Sequence, residues 1–432
     1  MSSQKRSLQV WILVVVIAFS GRIAAAQSSG QEHWIATWAS AQLPGRPPGA
    51  AGARGAAAPA PAPAPGAAAP ATGFNNQTVR MVVRTSIGGK RVRVQFSNAH
   101  GTNALMIGSA HIASRSQNST VVGGSDRTLR FNGKAAVMIP AGASMFSDPA
   151  DLTVAKLSDL AVSVFVPGDT GQLTSHATGL QTTYIAAGDL TAQQSMPADA
   201  QTSNSWYWLA SIEVDAVPTA SAIVALGDSI TDGATSTVNA NKSWPSQLAE
   251  RLAANSATAN IAVLNEGISG NRILRDGTGT NALARFDRDV LGLPGVKWLM
   301  LLEGINDIGQ GTRSGVAPAD TVTADDIIGG MKQIIQRAHA HGILVIGCTL
   351  TPYQGATYAT DAGQAIRTAV NQFIRTAGNF DAVVDFDKAT QDPANPLQFL
   401  AAYNNTDKLH PNDAGYKAMA DAVDLKIFTA KK

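Results

Sequence analysis

From residue 221 onward, apolar runs of strand length alternate with runs of helical periodicity, and this alternation restricts the chain more than any other feature. The strand-like runs are Ile223 to Leu226, Ile261 to Asn265, Trp298 to Leu302, Ile343 to Thr349 and Ala382 to Phe386. The helical runs are Trp244 to Ala254, Ala282 to Leu291, Ala324 to His341, Gly363 to Ala377 and Asn412 to Phe428. The third of these is opened by a Thr323/Asp326 capping box. Repeated β-α-β units require a parallel sheet with right-handed crossovers and helices on both faces. The predicted class over residues 221–430 is therefore α/β, with a parallel sheet of about five strands.

Upstream the pattern is different. Val79, Met81 and Val83 alternate with Arg80, Val82 and Arg84, and Val92, Val94 and Phe96 alternate with Arg91, Arg93 and Gln95. Ile87-Gly88-Gly89-Lys90 supplies turn residues between them, so a hairpin is predicted, with its arginines on a solvated face. Further strands are expected at Leu105 to Ile112, Thr128 to Phe131, Ala136 to Ile139, Leu160 to Val166, Thr182 to Ala186 and Trp206 to Val214. Many short strands with turn signals between them predict an all-β, sandwich-like domain over 33–216, with the boundary near Val217-Pro218. The segment 44–73 inside it is almost wholly Ala, Pro and Gly, which cannot build a core and reads as an extended, solvated insertion. Before it, His33 to Gln42 carries Trp34 and Trp38, which suggests a docked segment.

The chain has 432 residues, 45% of them hydrophobic, and a formal net charge of +2, which is too neutral to suggest a nucleic-acid partner. Lys5 and Arg6 precede an apolar run from Val10 to Phe19, and Ala24-Ala25-Ala26 offers a small-residue cleavage site before Gln27. Residues 1–26 therefore read as a signal peptide, with a secreted or periplasmic product and no stable membrane partner after cleavage; an uncleaved anchor is the alternative. The single cysteine, Cys348, excludes an intrachain disulfide and any cysteine-based metal cluster, and it falls in a predicted buried strand.

Chemistry concentrates just after the strands of the α/β half. Ala225-Leu226-Gly227-Asp228-Ser229-Ile230-Thr231 places Ser229 at the carboxyl end of a strand, where open α/β sheets bind ligands and where a serine acts as nucleophile if a base reaches it. Asn265-Glu266-Gly267-Ile268-Ser269-Gly270-Asn271 follows the second strand, and Glu303-Gly304-Ile305-Asn306-Asp307 the third. Asp407-Lys408-Leu409-His410-Pro411 precedes the last helix. All four segments converge on one sheet edge. No P-loop, dinucleotide fingerprint, His-Glu-x-x-His or Gly-x-Ser-x-Gly motif is present, so neither cofactor nor metal is indicated.

In order and content these segments resemble the four sequence blocks of the SGNH (GDSL) hydrolases, and most closely the arylesterase and acylhydrolase branch associated with xylan degradation. The resemblance implies a flavodoxin-like three-layer domain. It assigns the nucleophile to Ser229, and the general base and its orienting acid to His410 and Asp407. The oxyanion hole falls to the backbone N–H groups of Ser229 and Gly270 and the side-chain amide of Asn306. Asp228 and Asp307 read as loop-holding residues. His410 has few rivals, since His339 and His341 end a helix while His33, His100, His111 and His176 fall outside the α/β half.

The expected protein is an exported serine esterase without cofactors. It would act on short, acetyl-type esters, small or carried on a polysaccharide such as acetylated xylan. A lipase acting on longer chains and a non-catalytic carbohydrate-binding protein are the alternatives.

Overall fold

The computed structural model describes residues 32–45 and 73–429. The predicted signal peptide and residues 46–72 of the Ala/Pro/Gly-rich segment lie outside the described residues. In chain order the principal strands of the first half are β1 (Trp34–Ala39), β2 (Gln77–Arg84), β3 (Val92–Ser97), β4 (Ser109–Gln117) and β5 (Ser144–Phe146). They continue with β6 (Asp159–Val166), β7 (Thr174–His176), β8 (Thr183–Ala187) and β9 (Leu209–Asp215). One antiparallel sheet runs β1-β9-β3-β5, and a second contains β8-β2-β6-β4. A small third sheet places β7 between Leu43–Pro44 and Trp206–Tyr207. The half is β-rich and antiparallel, as the period-two pattern predicts.

The predicted hairpin does not form. β2 pairs with β6 and β8, whereas β3 pairs with β9 and β5, so the two runs belong to different sheets. The turn between them crosses from one sheet to the other and is held by Thr37, whose hydroxyl accepts from Ser86 N–H and Ile87 N–H. Nor is the arginine face uniformly solvated. Arg80 is 1% exposed. Its guanidinium donates to Ser163 Oγ at 2.8 Å and to the carbonyls of Ser119 at 2.7 Å and Gln193 at 2.6 Å, so loops from both sides cap the sheet at that point. The docked aromatic segment proves to be strand β1. Two expected single strands are broken: Leu105 to Ile112 at Gly108, and Trp206 to Val214 at Trp208, a buried residue with φ 56°.

The second half follows its predicted alternation closely. Its elements are β10 (Ser221–Gly227), α1 (Ser229–Asp232), α2 (Trp244–Ala254), β11 (Ile261–Gly267), α3 (Ala282–Phe286), β12 (Val296–Leu302) and α4 (Ile305–Thr312). After them come α5 (Ala324–Ala340), β13 (Leu344–Cys348), α6 (Asp361–Arg375), β14 (Ala382–Val384), α7 (Phe386–Thr390) and α8 (Asp413–Asp421). The five strands are parallel in the order β11-β10-β12-β13-β14, the doubly wound arrangement whose switch point lies beside the first strand. Thr323 and Asp326 form the capping box at the start of α5. The predicted 282–291 helix loosens into a wider turn after Phe286, and the C-terminal helix stops at Asp421, with a short 3-10 turn at Leu425–Phe428.

One continuous apolar core runs through residues of both halves, from Ile35 and Val94 to Val224 and Tyr416. The open edge of β11 is partly closed by the first half: Ser86 Oγ donates to Val263 O at 2.9 Å and accepts from Val263 N–H at 3.2 Å. Trp244, Tyr353 and Cys348 are buried in this core, and Trp298 packs edge-on to Phe428. Burial pushes the Cys348 thiol far above its ordinary range, which makes it a packing residue.

Candidate active site

Three strands end level with one another, because Gly227 of β10 stands in register with Gly267 of β11 and with Leu302 of β12. The turns beyond them carry the predicted blocks. Asp228 caps α1, its Oδ1 accepting from Ile230 N–H at 2.9 Å, and so places Ser229 at the first position of a one-turn helix. Beyond β11 the chain reaches Gly270 at φ 84°, in the left-handed region that favours glycine. Beyond β12, Gly304 at φ 124° turns the chain into α4 and sets Asn306 in its first turn.

The last block arrives from the opposite side. Asp407 Oδ1 accepts from the N–H groups of Leu409 and His410, both at 3.0 Å, which closes an Asx turn around Lys408. That loop is tied to the nucleophile side by Thr235 Oγ1 donating to Pro411 O at 2.9 Å and by Tyr416 OH donating to Ala234 O at 2.7 Å. His410 Nε2 consequently lies 2.7 Å from Ser229 Oγ, and His410 Nδ1 lies 2.6 Å from Asp407 Oδ2. All three residues assigned to a triad meet in one unbroken relay. Partial burial opposes charge on Asp407, but the hydrogen bonds from His410 and Leu409 outweigh it and hold the carboxyl below its usual range.

Asn306 Nδ2 donates to Asn271 O at 3.0 Å, which leaves its second hydrogen free, while its Oδ1 accepts from Tyr358 OH at 3.2 Å. The amide is thus oriented from both ends, with nitrogen toward the Gly270 loop. Among the described residues, the backbone N–H groups of Ser229 and Gly270 have no hydrogen-bond acceptor. Two free backbone donors and one half-used amide are what a developing oxyanion requires.

Beneath this surface lies a buried charged layer. Arg285 is 1% exposed and donates to Glu266 O at 2.7 Å, Gly227 O at 3.1 Å, Asn271 Oδ1 at 3.0 Å and Asp289 Oδ2 at 3.0 Å. It therefore clamps the ends of β10 and β11 to the Gly270 loop. Burial pushes Asp228 up to about 7 and Asp307 up to about 6, and it drives Glu303 well above the carboxylate range, reinforced by the nearby Asp228. Asp307 accepts from Ile273 N–H and Leu274 N–H, so it holds the Gly270 loop as its loop-holding reading requires. Asp228 does the same for α1.

Sequence reasoning did not single out Tyr358, Arg285 or Asp232 as parts of this site. It set His176 aside as remote, yet His176 Nε2 lies 2.9 Å from Asp232 Oδ1 at the end of α1. Apart from the Arg285/Asp289 pair, four residues apart, these contacts have no spacing signal, because they join residues distant in the chain. Among the described residues no group of three or more His, Cys, Asp or Glu is arranged to hold a metal ion, and no helix is long and apolar enough to cross a membrane.

The four-block geometry agrees with comparison against known families. Residues 225–418 match the GDSL-like lipase/acylhydrolase family. This half of the chain is a GDSL-like hydrolase domain. On this match the protein is a carboxylic ester hydrolase. Similar solved structures include an α/β hydrolase enzyme from the metagenome of Lake Arreo, Spain, at 22% identity and TM-score 0.39, covering 49% of this chain and 97% of that one. An acetylxylan esterase from Geobacillus stearothermophilus is 21% identical with TM-score 0.37, over 48% of this chain and 94% of its own. A GDSL-like lipase from Bacteroides thetaiotaomicron is 20% identical with TM-score 0.36, over 49% of this chain and 90% of its own. No curated protein matches the chain.

Proposed function

We propose that the protein is an exported serine esterase that removes short, acetyl-type acyl groups, from small esters or from polysaccharides such as acetylated xylan, through an acyl-enzyme. The observation that carries this reading is the unbroken relay from Asp407 through His410 to Ser229.

In the first step Ser229 Oγ attacks the acyl carbon as its proton passes to His410 Nε2. Asp407 holds the ring by Nδ1 and balances the imidazolium that forms. The carbonyl oxygen takes up the electron pair and is met by Ser229 N–H, Gly270 N–H and the free hydrogen of Asn306 Nδ2. Collapse of the tetrahedral adduct breaks the bond to the alcohol oxygen, which leaves with the proton from Nε2. Water then repeats the sequence on the acyl-serine and releases the carboxylic acid. No cofactor enters any step.

The short acyl preference is supported by the sequence, in which no long apolar insertion capable of sheathing a fatty chain separates the blocks at Ser229, Gly270, Asn306 and Asp407/His410. Export is supported by the Lys5 to Ala26 segment. Initial rates on aryl esters from acetate to palmitate, beside acetate release from acetylated xylan, test the reading. It predicts steep preference for acetate and release from the polysaccharide. Preference for long chains would make the protein a lipase instead, and no hydrolysis of any ester would return it to a carbohydrate-binding role.

A further inference from the structure

The β-rich half meets the active-site loops at a buried polar contact, beside the apolar cluster of Ala41, Leu43 and Ile268. His176 ends β7, and its Nδ1 lies 2.8 Å from Ala41 O. A carbonyl only accepts, so Nδ1 carries a hydrogen. Nε2 faces Asp232 Oδ1 at 2.9 Å, and this contact needs one proton between the two atoms. Both side chains are 3% exposed, and Trp206 stacks on the imidazole with centroids 5.6 Å apart. The opposite carboxylate oxygen, Asp232 Oδ2, accepts from Ser269 N–H at 3.0 Å and from Ser269 Oγ at 2.7 Å. Ser269 immediately precedes Gly270, and Asp232 closes the helical turn that Ser229 opens. Two residues beyond His176, Thr178 Oγ1 lies 3.2 Å from Ser269 Oγ.

We infer that His176 is a positioning residue for ester hydrolysis: through Asp232 it fixes the Ser269-Gly270 loop relative to the helix that carries Ser229. The two backbone donors of the oxyanion hole come from these two segments, and the hydrogen bonds of Asp232 are the brace between them. A misplacement of about 1 Å at such a donor is enough to cost on the order of 10²-fold in rate.

The brace depends on one proton. Charged groups facing His176 are Asp232 from α1 and Arg285 from α3. Desolvation and Arg285 oppose protonation, while Asp232 and the hydrogen bonds to Asp232 and Ala41 outweigh them, so the ring is protonated above its ordinary range. Both ring nitrogens face acceptors, so loss of one proton at alkaline pH leaves a lone pair against either Asp232 Oδ1 or Ala41 O, and one of the two contacts that seat the ring becomes repulsive.

The inference rests on the serine-esterase reading, and full-chain variants separate the two. His176→Gln, Ser269→Ala and Ser229→Ala are compared with wild type for kcat and KM on a short aryl acetate from about pH 6 to about pH 10. Near-UV circular dichroism and thermal melting check the fold. For folded His176→Gln, kcat is expected to fall about 10- to 100-fold with KM within about twofold of wild type. The alkaline limb of the wild-type kcat profile should be absent from this variant. Wild-type kcat in folded His176→Gln, or an unchanged alkaline limb, overturns the inference. If His176→Gln does not fold, Ser269→Ala decides from the other end of the brace. It is expected to lose about three- to tenfold in kcat at unchanged melting temperature, and wild-type kcat there overturns the inference. Activity retained in Ser229→Ala would instead sink the esterase reading itself.

Discussion

Replacing Asp407 by asparagine tests the tautomer of His410, and the structure sets the size of the effect. Oδ1 of Asp407 accepts from Leu409 N–H and His410 N–H, so an asparagine must keep its carbonyl oxygen there and turn its NH2 group toward His410 Nδ1. That group donates, so Nδ1 loses its hydrogen and the ring proton moves to Nε2, which can then no longer accept from Ser229. Loss of the charge-assisted bond costs about 1.5–3 kcal/mol, roughly 10- to 150-fold in rate. Restoring the productive tautomer against the amide costs about 1–3 kcal/mol more. Together kcat should fall about 10²- to 10⁴-fold. Asp407→Ala behaves differently. The Asp407 side chain is 40% exposed, so water can replace it as acceptor for Nδ1, and the loss should be only about 10- to 100-fold. Turnover of a short aryl acetate by both variants, each checked for native near-UV dichroism, measures this. An asparagine variant within about tenfold of wild type, or less impaired than alanine, refutes the reasoning.

Three other consequences are open to measurement. Tyr358→Phe removes the donor to Asn306 Oδ1, and should lower kcat about three- to tenfold with little change in KM; unchanged kcat would mean that the amide is held without it. Arg285→Met removes the buried clamp on β10, β11 and the Gly270 loop and should cost about 3–5 kcal/mol in urea unfolding; a loss below about 1 kcal/mol contradicts its role. Glu303 has its folded pKa raised well above the ordinary value, so its contribution to stability is full below an unfolded pKa of about 4.3 and is lost as pH rises toward the folded value. Glu303→Gln lacks that loss, and its melting temperature relative to wild type should climb between about pH 5 and about pH 8; a constant difference would argue against a buried, protonated Glu303.

The α/β half was legible because its information is local. Each strand is a short apolar run, each helix an amphipathic period, and the oxyanion-hole and nucleophile residues follow strand ends within a few positions, as Ser229 follows Gly227, Gly270 follows Gly267 and Asn306 follows Leu302, while Asp407 and His410 share one short loop before the last helix. The first half was legible in class but not in pairing. Strand pairing is decided by surfaces far apart in sequence, so β2 found β6 and β8, while a turn signal at 87–90 pointed to its neighbour. Arg80 looked solvated because the carbonyls that bind it come from positions 119 and 193. His176 was hidden for the same reason: its partner Asp232 lies in the other half of the chain. Polar partners met only after folding leave no periodic trace.

The central claim, that Ser229 is the nucleophile of an esterase, is tested most directly by steady-state hydrolysis of a short aryl acetate by wild type and Ser229→Ala, side by side and with the fold of both verified. Turnover should fall by about 10⁵-fold or more in the variant, leaving only the contribution of the remaining site groups. Wild-type turnover in a correctly folded Ser229→Ala protein would contradict the account.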